Sequence, residues 1–289
     1  MSPEELAARY PTDDYYAYRG APAGGTGLGD TLIRLNRGYA AVRPAGPILR
    51  ALARAFRPWL DRRYYGVPRY VPAGRLLDVG AGAGDFLTLA RRLGWEGAGL
   101  EADAGAAARA REAGLNVITG DADEVLGRGN LGEPFDLVRF HHSLEHLGDP
   151  AGALRAAAVL TRPGGKLLVA VPNCTGAAAR LFGRYWYHWS LPFHRFHFDA
   201  RTLGEALRAA GWVPTRYYCV SYPPALAWTF LRWLRHGMAW RFAPCEKAGR
   251  LLGKVLRPVM FLFDFMKAGD NLVVEATLKD NTGDRARRL

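Results

Sequence analysis

At 289 residues, 49% of them apolar and 23% charged, the chain is long enough for one large α/β domain with appendages and has ample material for a core. Its three cysteines, Cys174, Cys219 and Cys245, show no CxxC spacing, which argues against a disulfide framework or a structural zinc site and suits a reducing cytoplasm. The formal charge of +12 is uneven: residues 31–75 hold ten Arg against Asp61 alone, and residues 223–268 hold eight Lys/Arg against Glu246 and Asp264. Two such basic stretches suit anionic partners, namely phospholipid head groups, pyrophosphate-linked substrates or nucleic acid; a solvated basic surface is the plain alternative.

In chain order, MSPEELAARYPTDD lacks the basic-then-apolar order of a signal peptide, and no run of about 18 uncharged apolar residues follows. A cytoplasmic protein without a spanning helix is expected. Residues 1–30, polar and rich in Gly, Pro and Tyr, read as a mobile leader. Residues 31–70 read as Arg-rich helical segments broken by Pro44, Pro47, Pro58 and Pro68. Beyond Gly74, short apolar runs (Leu76–Val79, Ala98–Leu100, Asn116–Ile118, Phe135–Phe140, Lys166–Val171) alternate with helical stretches near 85–93, 103–113 and 150–160. That alternation indicates βαβ units and a parallel sheet. A helix at 201–210, a strand at 213–220 and a last strand at 271–278 follow. The expected organisation is an extension over 1–70, a central domain over 71–222 plus 269–280, and a helical insertion over 223–268.

The sharpest motif is LLDVGAGAGDF at 76–86, an apolar strand that runs into Gly80, Gly82 and Gly84 and then into a helix. Glycines permit a tight turn and close approach of a ligand, and the helix start adds amide donors. A dinucleotide fingerprint would need its third Gly at 85, where Asp85 stands and would repel a pyrophosphate; the GK[ST] of a Walker loop is absent. Glu101, 21 residues after Gly80, ends the second apolar run, where a carboxylate can accept both hydroxyls of a ribose. Asp121 ends the third, where it can take an adenine amino group.

With FDLVRFHHSLEHLGDP and LTRPGGKLLVAVPN in the same order, the chain resembles the class I S-adenosylmethionine (SAM)-dependent methyltransferases over roughly 70–221 and the final strand. The resemblance implies a Rossmann-like α/β fold, a seven-stranded mostly parallel sheet with its last strand antiparallel. It implies SAM as cofactor, with Gly80, Gly82 and Gly84 over the methionine part, Glu101 on the ribose, and Asp121 with Ala122 on the adenine. Phe140 and His141 would line the methionine side, and Asp78 belongs to the same cofactor-binding set.

SAM carries an activated methyl group, so binding and alignment are the main tasks, and a hydroxyl acceptor adds the need for a base. HHSLEHL at 141–147 supplies His142, Glu145 and His146, and FHRFHFD at 193–199 supplies His194, His197 and Asp199. His142, Glu145, His146 and His194 are the catalytic candidates; bracing of the loop is the alternative for His146. On a helix His142, Glu145 and His146 would share one face, and the LEH stretch resembles that of quinone-biosynthesis O-methyltransferases, some of which use a divalent metal. In those enzymes the position of His142 is usually Glu, and no metal ligand set is assigned.

The stretch after the fifth strand resembles methyltransferases of bacterial cell-surface glycan biosynthesis, through Pro172, Asn173, Trp186, His194, Phe198, Thr202, Leu203, Ala210 and Gly211. Trp186, Tyr187 and Trp189 are candidates to stack on a sugar or quinone ring, with a place in the core as the alternative. A small-molecule or lipid-linked glycan acceptor is the primary expectation, and a quinone-type acceptor the second. In 223–268, Lys247, Arg250, Lys254 and Arg257 recur at helical steps, and Trp228, Trp233 and Trp240 interleave with Arg232, Arg235 and Arg241. That composition predicts peripheral contact with an anionic membrane surface on the inner face of the cytoplasmic membrane; helices packed on the domain are the alternative. Specific nucleic-acid binding is not expected, since VPNC replaces [DN]PP[YF] and no Pro-Cys nucleophile occurs. A nucleic-acid methyltransferase, encouraged by the net charge, and a non-catalytic SAM-fold binding protein are the remaining alternatives.

Overall fold

The computed structural model describes residues 28–39, 46–57, 60, 65–237, 251, 253 and 255–279. Seven strands form one sheet: β1 (Arg75–Val79), β2 (Glu96–Glu101), β3 (Asn116–Thr119), β4 (Phe135–His141), β5 (Thr161–Pro172), β6 (Trp212–Val220) and β7 (Asn271–Leu278). Their order is 3-2-1-4-5-7-6, and β7 runs antiparallel to both β5 and β6. The order turns back between β1 and β4, so a crevice opens at their carboxyl ends, where ligands of open α/β sheets bind.

The helices are α1 (Leu28–Arg37), α2 (Pro47–Ala55), α3 (Asp85–Arg92), α4 (Ala104–Glu112), α5 (Ala122–Gly127), α6 (Pro150–Leu160), α7 (Ala177–Phe182), α8 (Ala200–Ala209), α9 (Pro223–Gly237) and α10 (Arg257–Phe265). Their starts are set locally. Asp103 accepts from the Ala106 amide at the head of α4, Asp149 from Gly152 ahead of Pro150 on α6, and Asp199 forms a capping box with Thr202 on α8.

The central strands are buried on both faces, which is why β1 and β4 read as nearly unbroken apolar runs. On one face Val138, Phe140 and Val169 pack with Val125 and Leu126 of α5, Leu154 and Ala157 of α6, and Leu203 and Leu207 of α8. On the other, Leu76, Leu137 and Leu168 pack with Leu87 and Ala90 of α3 and Ala107 and Ala110 of α4. Tyr39 and Val67 of the N-terminal segment complete that second core. A third, smaller cluster of Ala178, Ala179, Trp186, Leu226 and Met260 joins α7, α9 and α10.

The last strand lies where the sequence predicts it, and the helices of the βαβ units differ by a residue or so at their ends. Three elements differ. Helix α1 begins at Leu28, inside the stretch expected to be a leader. Arg37 at its end is buried, 4.0 Å from Glu275 of β7, so part of the N-terminal basic charge is spent inside the protein. Helix α5 is not among the expected helices; Asp121 caps it by accepting from the amides of Asp123 and Glu124. Strand β5 starts at Thr161 rather than Lys166, because RPGG forms an irregularity within extended backbone and the pairing with β4 shifts there.

Candidate active site

The glycine loop follows β1. Gly80, Gly82 and Gly84 have φ of 81°, 56° and 86°, the left-handed region where a side chain is strained. A Cβ on Gly80 would stand 2.6 Å from the Cβ of Ser143, and one on Gly84 2.3 Å from Leu115. The loop is fixed to the neighbouring strand by the amides of Gly80 and Ala81, which donate to the Leu100 carbonyl at 2.8 and 3.0 Å. No side chain caps the start of α3, so amides there remain available to a ligand.

Glu101 closes β2 beside this loop. Its Oε2 accepts from the Gly82 amide at 2.7 Å and its Oε1 from the Asp103 amide at 2.9 Å. Burial pushes its carboxyl up, and the Asp103 and Gly82 amides work against that shift. A carboxylate has about four acceptor positions, so two remain for hydroxyls. Asp121 stands exposed at the end of β3 and spends Oδ1 on the head of α5, whose first residue is Ala122.

Two residues of the expected cofactor set have other places. Asp78 is buried in β1 opposite Arg139 of β4, whose Nη1 donates to Asp78 Oδ1 at 2.6 Å. Arg139 also donates to the Gly66 carbonyl and lies 3.8 Å over the Phe86 ring, so this pair ties sheet, α3 and N-terminal segment together. Phe140 is 0% exposed in the first core, and only its backbone reaches the strand end. His141 faces the other way and stacks on Tyr65, with ring centroids 5.0 Å apart; burial and then the Arg139 charge hold its ring well below the usual imidazole range. Tyr65 was not anticipated, since nothing in RRYYGVP marks which Tyr returns to the strand end.

After β4 the chain does not form the helix on which His142, Glu145 and His146 would share a face. His142 has φ of 56° and its amide donates to Ala170 of β5, and a single 3₁₀ turn covers Leu144–His146. The residues still converge, because a distant loop is tied to this turn. The amides of Arg195 and Phe196 donate to the Glu145 carbonyl, and His146 Nδ1 lies 3.0 Å from the Phe193 carbonyl. His194 Nδ1 lies 2.7 Å from the carbonyl of His188, in the 3₁₀ turn Tyr187–Trp189.

Glu145 is the centre of this cluster. It is 0% exposed, and neither carboxylate oxygen has a hydrogen-bond partner among the described residues. Its Oε1 lies 3.4 Å from His142 Nδ1, an ion-pair distance. Burial pushes the carboxyl up, but contact with His142 and the fields of His142, His146 and His194 outweigh it and hold the group below the usual carboxylate range. His188 stacks parallel to His142 at 6.4 Å, and burial followed by the His142 charge brings its ring down to about 3. Burial likewise lowers His194 to about 4, against an opposing pull from Glu145. His188 escaped the sequence reading because YWYHWS reads as an aromatic patch; its stack on His142 arises only through the tertiary fold.

One atom each of Glu145, His146 and His194 lie within 4.8 Å of one another, a donor set able to hold a divalent cation. The ring-stacking candidates divide: Trp186 is fully buried in the third cluster, whereas Trp189 is half-buried and lies edge-on to His197 at 4.8 Å. In the insertion, Trp233 packs on Phe182 and Phe230, while Trp240, Lys247, Arg250 and Lys254 lie outside the described residues.

The family described as "Methyltransferase domain" matches residues 45–216. The chain belongs to it. With the seven-stranded order, this makes it a class I SAM-dependent methyltransferase, with SAM as methyl donor. Curated relatives include a ubiquinone biosynthesis O-methyltransferase of Caulobacter sp. strain K31, 35% identical over 127 residues, covering 41% of this chain and 50% of the relative. One of Maricaulis maris with the same name is 32% identical over 162 residues, covering 52% and 63%. The methyltransferase thus spans about half the length of the first of these relatives. Among solved structures, a chain of the Haloferax volcanii complex between the Trm112 methyltransferase activator and a methyltransferase aligns with a TM-score of 0.52 at 16% identity, covering 89% of this chain and all of that one, a likeness of fold.

Proposed function

We propose that this methyltransferase methylates a hydroxyl oxygen of a small acceptor, with His142 as the base and Glu145 as the group that orients it. The observation that carries this reading is the fully buried Glu145 carboxylate 3.4 Å from His142 Nδ1. A buried carboxylate there favours the Nδ1–H tautomer and leaves Nε2 to take a proton. It also stabilises the imidazolium that results. The left-handed backbone of His142 is strain of the kind held at functional positions.

The residues present fit SAM: glycines at positive φ let the loop turn tightly at the strand end, and a buried carboxylate stands beside them. SAM supplies an activated methyl group on sulfur. Glu101 would hold the ribose hydroxyls, Asp121 and Ala122 the adenine, and the loop from Gly80 to Gly84 the methionine portion, with His141 at its side. His142 would take the acceptor hydroxyl proton at Nε2 as the methyl group passes from sulfur, which leaves as the neutral thioether, to the oxygen.

For the acceptor, the names of the curated relatives and the rings against His142, those of His141 and His188, favour a quinol-type phenolic hydroxyl. A hydroxyl of a lipid-linked saccharide in cell-envelope biosynthesis is the second reading, supported by the pattern from Pro172 to Gly211. Either acceptor has an apolar tail and suits attachment to the inner face of the cytoplasmic membrane. A second chemical reading is favoured by the Glu145–His146–His194 set: a divalent cation there would lower the pKa of a bound acceptor hydroxyl.

The test is labelled methyl-SAM with a catechol-type quinol precursor and, separately, a lipid-linked saccharide. His142→Ala should lower turnover by about 10²–10⁴ with SAM affinity intact. Near-full turnover of His142→Ala defeats the base assignment. Loss of activity in chelator, restored by a divalent ion, moves the cation reading ahead.

A further inference from the structure

Helix α10 turns Met260 and Asp264 inward, and Met260 packs into the third cluster with Trp186 and Leu226. Its outward side is apolar. Val259 and Leu262 form a stripe at helical spacing with Phe265 beside it, Val255 and Met266 extend it just before and just after the helix, and these five are between 46% and 72% exposed. Water-facing positions of a helix are ordinarily polar, and a contiguous apolar face of this kind marks an interaction surface.

Charge points to the occupant. Arg257 and Lys267, at the two ends of the helix, are exposed. The two acids between 251 and 270, Asp264 and Asp270, are 7% and 3% exposed, so neither offsets that charge at the surface. An apolar stripe rimmed by cations without an exposed carboxylate is the composition of a helix lying in the plane of an anionic bilayer. Among the described residues no helix is long and apolar enough to cross a membrane, which leaves surface attachment as the mode. The Trp residues of α9, by contrast, are turned into the protein, as the packing of Trp233 on Phe182 and Phe230 illustrates.

Position adds a reason for the contact. The chain passes from α10 to Asn271, which pairs with Pro172 at the carboxyl end of β5, the sheet edge that also carries the glycine loop and His142. Met260 shares a cluster with Trp186, and the Trp186 ring is 5.4 Å from that of His188. Helix α10 is thus joined to the histidines through Met260, Trp186 and His188.

We infer that α10 lays Val259, Leu262 and Phe265, with the flanking Val255 and Met266, into the head-group region of an anionic bilayer and holds the histidine cluster at the height of a lipid-tailed acceptor's polar head. Only the acceptor's tail rests on the proposed function; attachment itself is read without turnover.

The experiment is co-sedimentation of the full chain with phosphatidylglycerol/phosphatidylcholine vesicles and with phosphatidylcholine alone. Binding is expected on the anionic vesicles, weaker on the neutral ones and falling as salt rises. The double variant Leu262→Asp/Phe265→Asp should lose at least about tenfold in partition while SAM binding by calorimetry is unchanged. Val159→Asp, at an equally exposed site on α6, should bind vesicles as the parent does. The inference is overturned if the parent chain stays in the supernatant, or if the double variant keeps its vesicle affinity. It is equally overturned if that variant only turns a dimer into a monomer in light scattering, which would make the face a contact between copies. Intact vesicle binding without turnover of either acceptor would defeat the acceptor reading alone.

Discussion

Glu101 is the residue on which the cofactor reading turns, because its carboxylate spans the glycine loop and the head of α4 through the amides of Gly82 and Asp103. Removing it releases the Gly82 amide and, on the proposed reading, takes away the acceptor for the ribose hydroxyls. Glu101→Ala should weaken SAM binding by about 1.5–3 kcal/mol, the range for hydrogen bonds to a charged group. Calorimetry on the folded variant checks it; unchanged affinity would mean that the ribose lies elsewhere. Glu101 was legible because a strand end after a glycine loop recurs at nearly fixed spacing. Asp78 and Phe140 point to opposite faces of the sheet, because successive strand residues alternate in direction, and a motif does not reveal which of the two faces a ligand. Asp78 shares its register with Arg139, and Phe140 shares its face with the first core. His188 and Tyr65 were invisible at this scale, since both come from segments far from the motif in sequence.

Among the elements, the strands were legible because buried parallel strands make apolar runs, whereas α5 was hidden in a six-residue stretch with acids at its start. The parallel sheet and its antiparallel last strand were expected, but the side-chain pairs that join neighbouring strands were not, and one of them holds a testable energetic claim. Arg139 and Asp78 are buried at 6% and 1% exposure on adjacent strands, and Arg139 also reaches Gly66 and Phe86. Burial pushes the Asp78 carboxyl up, while the Arg139 charge and hydrogen bond oppose that shift. Arg139→Met therefore leaves a carboxylate in the core without its counter-charge. It should cost about 3–5 kcal/mol in urea unfolding. Asp78→Leu with Arg139→Met should recover most of that loss, because apolar residues of similar volume replace a buried pair at little cost. If the single variant unfolds at the parental midpoint, the pair does not join the strands energetically. If the double variant stays as unstable as the single, the pair acts through Gly66 and Phe86 instead.

For the molecule as a whole, the carboxyl edge of the sheet collects buried ionisable groups, and stability must follow pH through them. Asp270 is the clearest case. It lies 3% exposed where the chain leaves α10 for β7. Burial brings its carboxyl up to about 7; the Trp186 indole works against the shift and the nearby Asp264 charge adds to it. In the same turn the Cys219 thiol of β6 donates to the Lys267 carbonyl. A carboxyl with a raised folded-state pKa binds its proton more tightly in the folded chain than in the unfolded one. Its favourable contribution is complete below the ordinary value of 3.8 and is lost as pH rises through about 7. Spread over about three pH units at 1.36 kcal/mol each, the loss has an upper bound of about 4 kcal/mol. Asp270→Asn removes the titration and keeps a polar group of the same shape beside Trp186. The variant should be more stable than the parent at pH 8, by up to a few kcal/mol, and the advantage should shrink toward zero by pH 4. Thermal or urea unfolding of both proteins across that range measures the difference directly, and contributions common to the two, the buried histidines included, cancel. A constant difference across the range would show that Asp270 stays charged in the folded protein. A variant that is less stable at pH 8 would show that the ionised carboxylate is paired there and holds the turn between α10 and β7 in place.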